Sequence, residues 1–430
     1  MSFSQSKRRV AVTGFGMITP LGLNTEETFS LAEKGASGID TIRSFNAEGL
    51  PCRIAGEVKK KVIDPPEGLR RRWPAKFSSR AAKLMAVAAD EAARMAGLEQ
   101  ITDRTRIGVS LGSFGERPSI ADILSHQRYC NSPGEWDLKG MSRQGGYDYL
   151  RFYRRKPDIA TSLVARAFDC RGPNLTLTSA CAAGAQAIGE AFRAIRTGQC
   201  DVMIAGGCEA IISLIGLAGF ILLKALSERH ASPPKASRPF DRRRNGFVLS
   251  EGAGAVVLEA MDHARNRGAP VSGELLGYGV SADAYRITDT QPEGKGAALA
   301  MEGALADAAL APESIEYINA HGTSTPRNDV TETMAVKAVF GKRAYDIPIS
   351  SNKSMLGHSI AASGAIEFIL TLVGMNRSTI LPTINYEFSD PDCDLWYVPN
   401  TAIEQRHGIA LSNSFGFGGQ NACLCLAGVP

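Results

Sequence analysis

LTLTSACAAGAQAIGEAFRAIRTG, residues 175–198, is the stretch on which the rest of the chain turns. Its opening is apolar and β-branched, the composition of a buried strand. Its continuation sets Ile188, Phe192 and Ile195 at helical spacing, with Arg193 and Arg196 turned away. Cys181 therefore lies in a strand-to-helix turn, at or beside the helix N-terminus. Free amides and the positive end of the helix dipole favour a thiolate there. Ala182, Ala183, Gly184 and Ala185 are small enough for other backbone to approach the sulfur. This is the geometry of a nucleophile elbow. The alternative is a small buried apolar side chain, the commonest fate of a cysteine.

Outward from this stretch, β-rich runs (Arg9–Thr13, Ile107–Leu111, Val202–Ala205, Ala253–Leu258) alternate with Ala-rich helical runs (Ala81–Ala96, Lys295–Ala308, Ile360–Met375). Such alternation predicts an α/β fold with helices on buried sheets. A faint repeat runs through it. VAVTGFGMITPLG is echoed from Gly273 by GELLGYGVSADAY, CAAGAQAIGEAF from Ser359 by SIAASGAIEFIL, and NGFVLSEGAGAVVLE from Asn413 by NSFGFGGQNACLCL. The echoes keep their order, which implies duplication of one α/β unit: an N-terminal half over 1–270 and a C-terminal half over 271–430. Residues 114–160 are polar, aromatic and irregular, and read as a cap inserted in the first half.

Of 430 residues, 44% are apolar and 21% charged, enough apolar material for a large core. A net charge of +4 is too mild to make polyanion binding the main business of the surface, so nucleic acid is not expected as a partner. The nine cysteines include no CxxC pair, and with no signal-like start they read as reduced thiols of a cytoplasmic protein. The longest uncharged apolar run, Ala210–Leu223, is shorter than the ~20 residues a membrane helix needs and is expected to be buried helix or strand. GFGMIT at Gly14–Thr19 lacks the third glycine of a dinucleotide fingerprint and is followed by Pro20, which excludes that site.

Two histidines stand in polar loops after strand-like runs: His321 in AHGTSTPRND and His358 in SNKSMLGHSIAASG. Each is an active-site candidate or a hydrogen-bonded structural histidine. GFGG at Gly416–Gly419 is either a loop that lets Phe417 swing or a hairpin turn with a core ring.

Taken in order, VAVTGFGMITPLG, TSACAAG, RPFDRRRNGFVLSEGAG, NAHGTSTPRNDVTE, SNKSMLGH and NSFGFGG cover nearly the whole chain. In them the chain resembles the elongating β-ketoacyl-[acyl-carrier-protein] synthases of the thiolase superfamily. The resemblance implies a five-layered αβαβα fold from two duplicated halves, usually a homodimer, that performs decarboxylative condensation of an acyl thioester with malonyl-carrier protein in fatty-acid elongation. It implies Cys181 as nucleophile, His321 and His358 as the rest of a Cys-His-His triad, and Lys353 as active-site lysine with Glu332 as its charge partner. It further implies Thr323 and Thr325 on the phosphopantetheine arm, Phe417 as gate, and the amides of Cys181 and Phe417 as oxyanion hole. No cofactor is implied beyond the phosphopantetheine that arrives on the carrier. Asn352, Leu356 and Gln420 depart from the family pattern, and residues 114–160 do not match it closely. Rival readings are the same condensation in a specialised polyketide, polyene or very-long-chain lipid pathway, and a non-catalytic carrier-binding subunit. An acidic carrier protein would be steered by a basic rim, for which Arg70, Arg71, Arg72, Lys76 and Arg80 are the first choice.

Overall fold

The run VAVTGFGMI becomes β1 (Val10–Ile18), a nine-residue strand inside a sheet flanked by helices on both faces. The computed structural model describes residues 8–144 and 148–429. Among them, ten strands form one sheet. After β1 come β2 (Ile107–Ser113), β3 (Asn174–Leu177), β4 (Val202–Glu209), β5 (Gly252–Ala260), β6 (Gly273–Ala282), β7 (Tyr317–Asn319), β8 (Ile349–Ser350), β9 (Ile409–Gly416) and β10 (Gln420–Gly428). Their order across the sheet is β8-β7-β9-β10-β6-β1-β5-β4-β2-β3. Outward from the central β1–β6 antiparallel pair, each side repeats one pattern. Two antiparallel pairings are followed by two parallel ones: β1–β5, β5–β4, β4–β2 and β2–β3 on one side, β6–β10, β10–β9, β9–β7 and β7–β8 on the other. The three sequence echoes fall on corresponding elements of this pattern.

Six helices fill the layers: α1 (Arg80–Met95), α2 (Ile159–Phe168), α3 (Ala183–Arg196), α4 (Lys295–Ala308), α5 (Asn328–Phe340) and α6 (Ser363–Arg377). The strand alternation of period two decides which layer each side chain joins. Val202, Ile204 and Val257 pack against α1 and α2, whereas Met203, Ala205, Val256 and Leu258 face inward onto α3 and α6. Likewise Cys423 and Cys425 join α4 and α5 on the far side, and Ala422, Leu424 and Leu426 face the inner helices. The result is α1/α2, half-sheet, α3/α6, half-sheet, α4/α5, the five layers expected. The inner helices cross closely because they have glycines at the contact. A Cβ on Gly184 would lie 2.6 Å from Ala361 O, and one on Gly364 would lie 2.9 Å from Ala185 N.

Two expectations need correction. LTLT is not a buried strand: β3 ends the sheet, with one edge unpaired and Leu175 exposed. Ala210–Leu223 is not buried either. It carries a helix, Leu214–Leu222, of which Leu217 alone is buried, while Leu214, Leu222 and Leu223 face outward. An apolar run looks the same in sequence whether its own chain or another covers it. Among the described residues, the one helical stretch long and apolar enough to span a bilayer is instead Ile360–Arg377, and 89% of it is buried inside the protein as the inner helix α6 and its lead-in. The described residues 114–144 and 148–158 form an excursion outside the sheet, with short helices at Ile120–Gln127, Leu138–Arg143 and Tyr149–Arg155; positions 145–147 of the expected cap lie outside the described residues.

Candidate active site

The chain leaves β3 and turns at Ala180, whose φ of 47° is unusual for a residue with a Cβ. That turn aims Cys181 inward at the start of α3. The same turn recurs in the second half, where Ile360 has φ 43° just before α6. A β-branched residue in that region is strained, so the surrounding packing holds it there. His358 precedes this second turn and follows β8. His321 follows β7. Loops from the carboxyl ends of three parallel strands, together with the close α3–α6 crossing, thus deliver three side chains to one place.

His358 Nε2 lies 3.0 Å from Cys181 Sγ. The sulfur and a ring nitrogen from each histidine lie within 4.8 Å of one another, and the two rings stand edge-to-face with centroids 5.4 Å apart. All three residues are at most 3% exposed. His358 Nδ1 lies 2.9 Å from Ser363 Oγ, which fixes the ring, whereas His321 Nδ1 has no partner among the described residues. Phe417 and Cys181 both turn backbone amides toward the sulfur. Phe417 sits in the β9–β10 hairpin, half-exposed, where Gly418 and Gly419 adopt φ of 84° and 73°. GFGG is thus a hairpin turn and an irregular loop at once. A cavity of about 380 Å³ leads from this centre outward past Phe247, Phe415, Thr323 and Thr325.

Lys353 is buried and donates to Glu367 Oε1 at 2.6 Å. Glu332 is therefore not its partner. Glu332 instead accepts the backbone amides of His321 (2.8 Å) and Gly322 (2.7 Å), shaping the loop that carries the imidazole. Burial pushes both carboxyls up to about 7, against those amides for Glu332 and against Lys353 for Glu367. Burial, reinforced by the charge of Lys353, drives both imidazoles well below the usual histidine range, so both are neutral at pH 7.

The sulfur differs from the sequence expectation. Burial pushes the Cys181 thiol up to about 11, although the Phe417 amide, Lys353 and the cysteine's own amide pull the other way. A helix terminus contributes only about 0.3–2 kcal/mol, less than full burial of a thiolate costs. The resting sulfur is a thiol beside a neutral imidazole. Alkylation of Cys181 by iodoacetamide, followed by peptide mass spectrometry, should accelerate roughly tenfold per pH unit from 7 to 9. A plateau below pH 8 would mean that the thiolate is already formed.

Arg70, Arg71, Arg72 and Lys76 are exposed, but Arg80 is not a free cation. Its Nε and Nη2 clamp the buried Glu251 at 2.7 and 2.6 Å, and Nη1 binds Lys61 O. It ties a loop to the core. The cavity's own wall carries Lys224 and Arg327, together with Asp289, which sequence reading missed. Arg327 stands next to the HGTSTP motif, a signal that could have found it.

Three donor atoms this close would also suit a metal ion, so comparison with known proteins bears on the choice. Residues 7–264 match the model for the β-ketoacyl synthase N-terminal domain and residues 272–387 that for its C-terminal domain. The chain is 39% identical over 431 residues to 3-oxoacyl-[acyl-carrier-protein] synthase 2 of Coxiella burnetii, covering 98% of this chain and 99% of that one. It is 41% identical over 421 residues to the protein of the same name from Synechocystis, covering 97% of each. Among solved structures, it superposes with TM-score 0.84 and 32% identity on a type II PKS ketosynthase in complex with its acyl-carrier protein and bound to the hexaketide, over 99% of this chain and 100% of the other. Enzymes of this family need no cofactor of their own. The matched residues, the mirrored halves and the converging cysteine and histidines agree: the chain belongs to the β-ketoacyl synthase family, with the thiolase-like fold.

Proposed function

We infer that this protein is an acyltransferase, a 3-oxoacyl-[acyl-carrier-protein] synthase that condenses an acyl group with malonyl-carrier protein in fatty-acid elongation. The observation that carries this reading is the pair of neutral imidazoles converging on one buried sulfur that also faces two backbone amides.

Because the sulfur rests as a thiol, His358 takes its proton through Nε2 as Sγ attacks the carbonyl of the acyl thioester. The amides of Cys181 and Phe417 hold the tetrahedral oxyanion. The carrier's thiolate leaves, collects that proton, and the acyl group remains on Cys181. When malonyl-carrier protein follows, the bond to its carboxylate breaks and CO2 departs. The electron pair passes to the thioester oxygen as an enolate. Neutral His321, and neutral His358 in the tautomer that carries its proton on Nε2 with Ser363 Oγ donating to Nδ1, donate N–H bonds to that oxygen, stabilising charge where it develops. The α-carbon then attacks the acyl carbon, the Cys181 sulfur leaves as a thiolate that takes one proton from solvent to restore the resting thiol, and a 3-oxoacyl-carrier protein is released. Burial keeps both imidazoles unprotonated, and the positive charge of Lys353, held by Glu367, reinforces it.

Phe417, on its glycine-rich hairpin, is assigned the gate, and Thr323 with Thr325 the arm of the carrier. The exposed Arg70, Arg71, Arg72 and Lys76 are assigned to carrier docking, with Arg80 removed from that set. A second copy of the chain is assigned to the open β3 edge and to the exposed apolar helix Leu214–Leu222; sedimentation of a monomer at micromolar concentration would remove that assignment.

The experiment is incubation with acyl-carrier protein and then malonyl-carrier protein. An acyl adduct on the Cys181 peptide followed by stoichiometric CO2 supports the reading, whereas absence of both would make the protein a carrier-binding subunit. In the same assay Phe417→Ala should release CO2 without prior acylation, and Arg71→Glu should raise the KM for the carrier but not for a small thioester.

A further inference from the structure

One ion pair stands in the outer wall of the cavity. Arg327 Nη1 binds Asp289 Oδ2, and Arg286 approaches the same oxygen at 3.9 Å. Arg327 and Asp289 both line the cavity, with Thr288, Thr290 and Lys224. Asp289 belongs to a segment that is tied to the Phe417 hairpin twice: Gly418 N donates to Ile287 O at 2.7 Å and Asp283 N donates to Gly419 O at 2.8 Å. Along the opposite limb, His321, Thr323, Thr325 and Arg327 follow one another down the same wall, from the sulfur to the outside. The chain from His321 to Arg327 bends at Gly322 and Ser324, so it spans less than the ~20 Å that six extended residues allow and stays within the length of a phosphopantetheine arm whose thioester lies at the sulfur.

We propose that Arg327 recognises the phosphodiester of the incoming arm, and that Asp289 occupies Arg327 until that phosphate displaces it. The proposal rests on the reading of the cavity as a pantetheine channel. Arg327 is 71% exposed at its side chain and Asp289 only 16%, so the guanidinium is the member that can meet an outside anion. A carboxylate–guanidinium pair whose guanidinium faces solvent is weak and readily exchanged, and a phosphate offers more acceptor oxygens to the same planar fork. Release of Asp289 would free the segment that the gate hairpin leans on. Arg327 is thus a specificity residue at the outer end of the channel, and Asp289 its placeholder.

The test compares two small donors, acyl-phosphopantetheine and acyl-pantetheine, by the rate of acyl adduct formation on Cys181. The native protein should prefer the phosphorylated donor about tenfold in kcat/KM. Arg327→Gln should bring the ratio to about one, Arg327→Lys should keep most of it, and Asp289→Asn should raise it. Equal rates with both donors in the native protein, or a ratio unchanged in Arg327→Gln, would overturn the proposal and leave the site reading standing. A ratio lowered by Asp289→Asn would overturn the placeholder role. Acylation by neither donor would overturn the channel reading, and this inference with it.

Discussion

Cys181→Ala should form no acyl adduct and should lose condensation by several orders of magnitude, the usual scale for removing a covalent nucleophile. The substitution deletes one atom from the centre of a packed site. His321, His358 and Lys353 do not depend on it for their positions: His358 is held by Ser363, Lys353 by Glu367, and the His321 loop by Glu332. Decarboxylation needs those groups and not the sulfur. Cys181→Gln, which fills the space with a neutral amide, should therefore still release CO2 from malonyl-carrier protein while making no 3-oxo product. Full elongation by either variant, read as product by mass spectrometry, would contradict the nucleophile assignment.

Removal of the imidazoles should separate the two half-reactions. A single preorganised oxyanion donor is typically worth about 10²–10³ in kcat, so His321→Ala and His358→Ala should each lower CO2 release by that amount. Acylation should distinguish them. His358 touches the sulfur at 3.0 Å and takes its proton, so His358→Ala should slow adduct formation as well. No hydrogen bond joins His321 to the sulfur, so His321→Ala should acylate at a rate much closer to native. Equal losses in both half-reactions for both variants would mean that the rings serve packing rather than chemistry. Thermal unfolding provides the control, because the buried Nδ1 of His321 lacks a partner among the described residues and little polar bonding is lost with it.

Duplication is legible in the chain because both halves meet the same steric demand. CAAGAQ and IAASGA are small for one reason, the crossing of α3 and α6 at Gly184 and Gly364. The positions of Cys181, His321 and His358 are legible because each follows a recognisable strand and opens a polar or small-residue loop. What is not legible depends on contacts remote in sequence. The ionisation of Cys181 was read from a helix terminus, which is local, whereas the burial that overrides it comes from the whole surrounding layer. Glu332 and Glu367 are both buried carboxylates near the lysine in sequence, and only the rotation of α6 about its axis decides that Glu367 meets the ammonium. The exposure of Leu175 and Leu222 escapes notice because hydrophobicity does not record whose atoms cover it.

The β1–β6 pairing, three residue pairs of backbone bonding across the midline, welds the two halves into one slab. Clamshell closure, the device by which many two-lobed enzymes shut out water, is therefore denied to this architecture. Access must be regulated at the periphery, by hairpins and side chains moving over a stationary floor, and variants that alter substrate admission should cluster there rather than at any interlobe hinge.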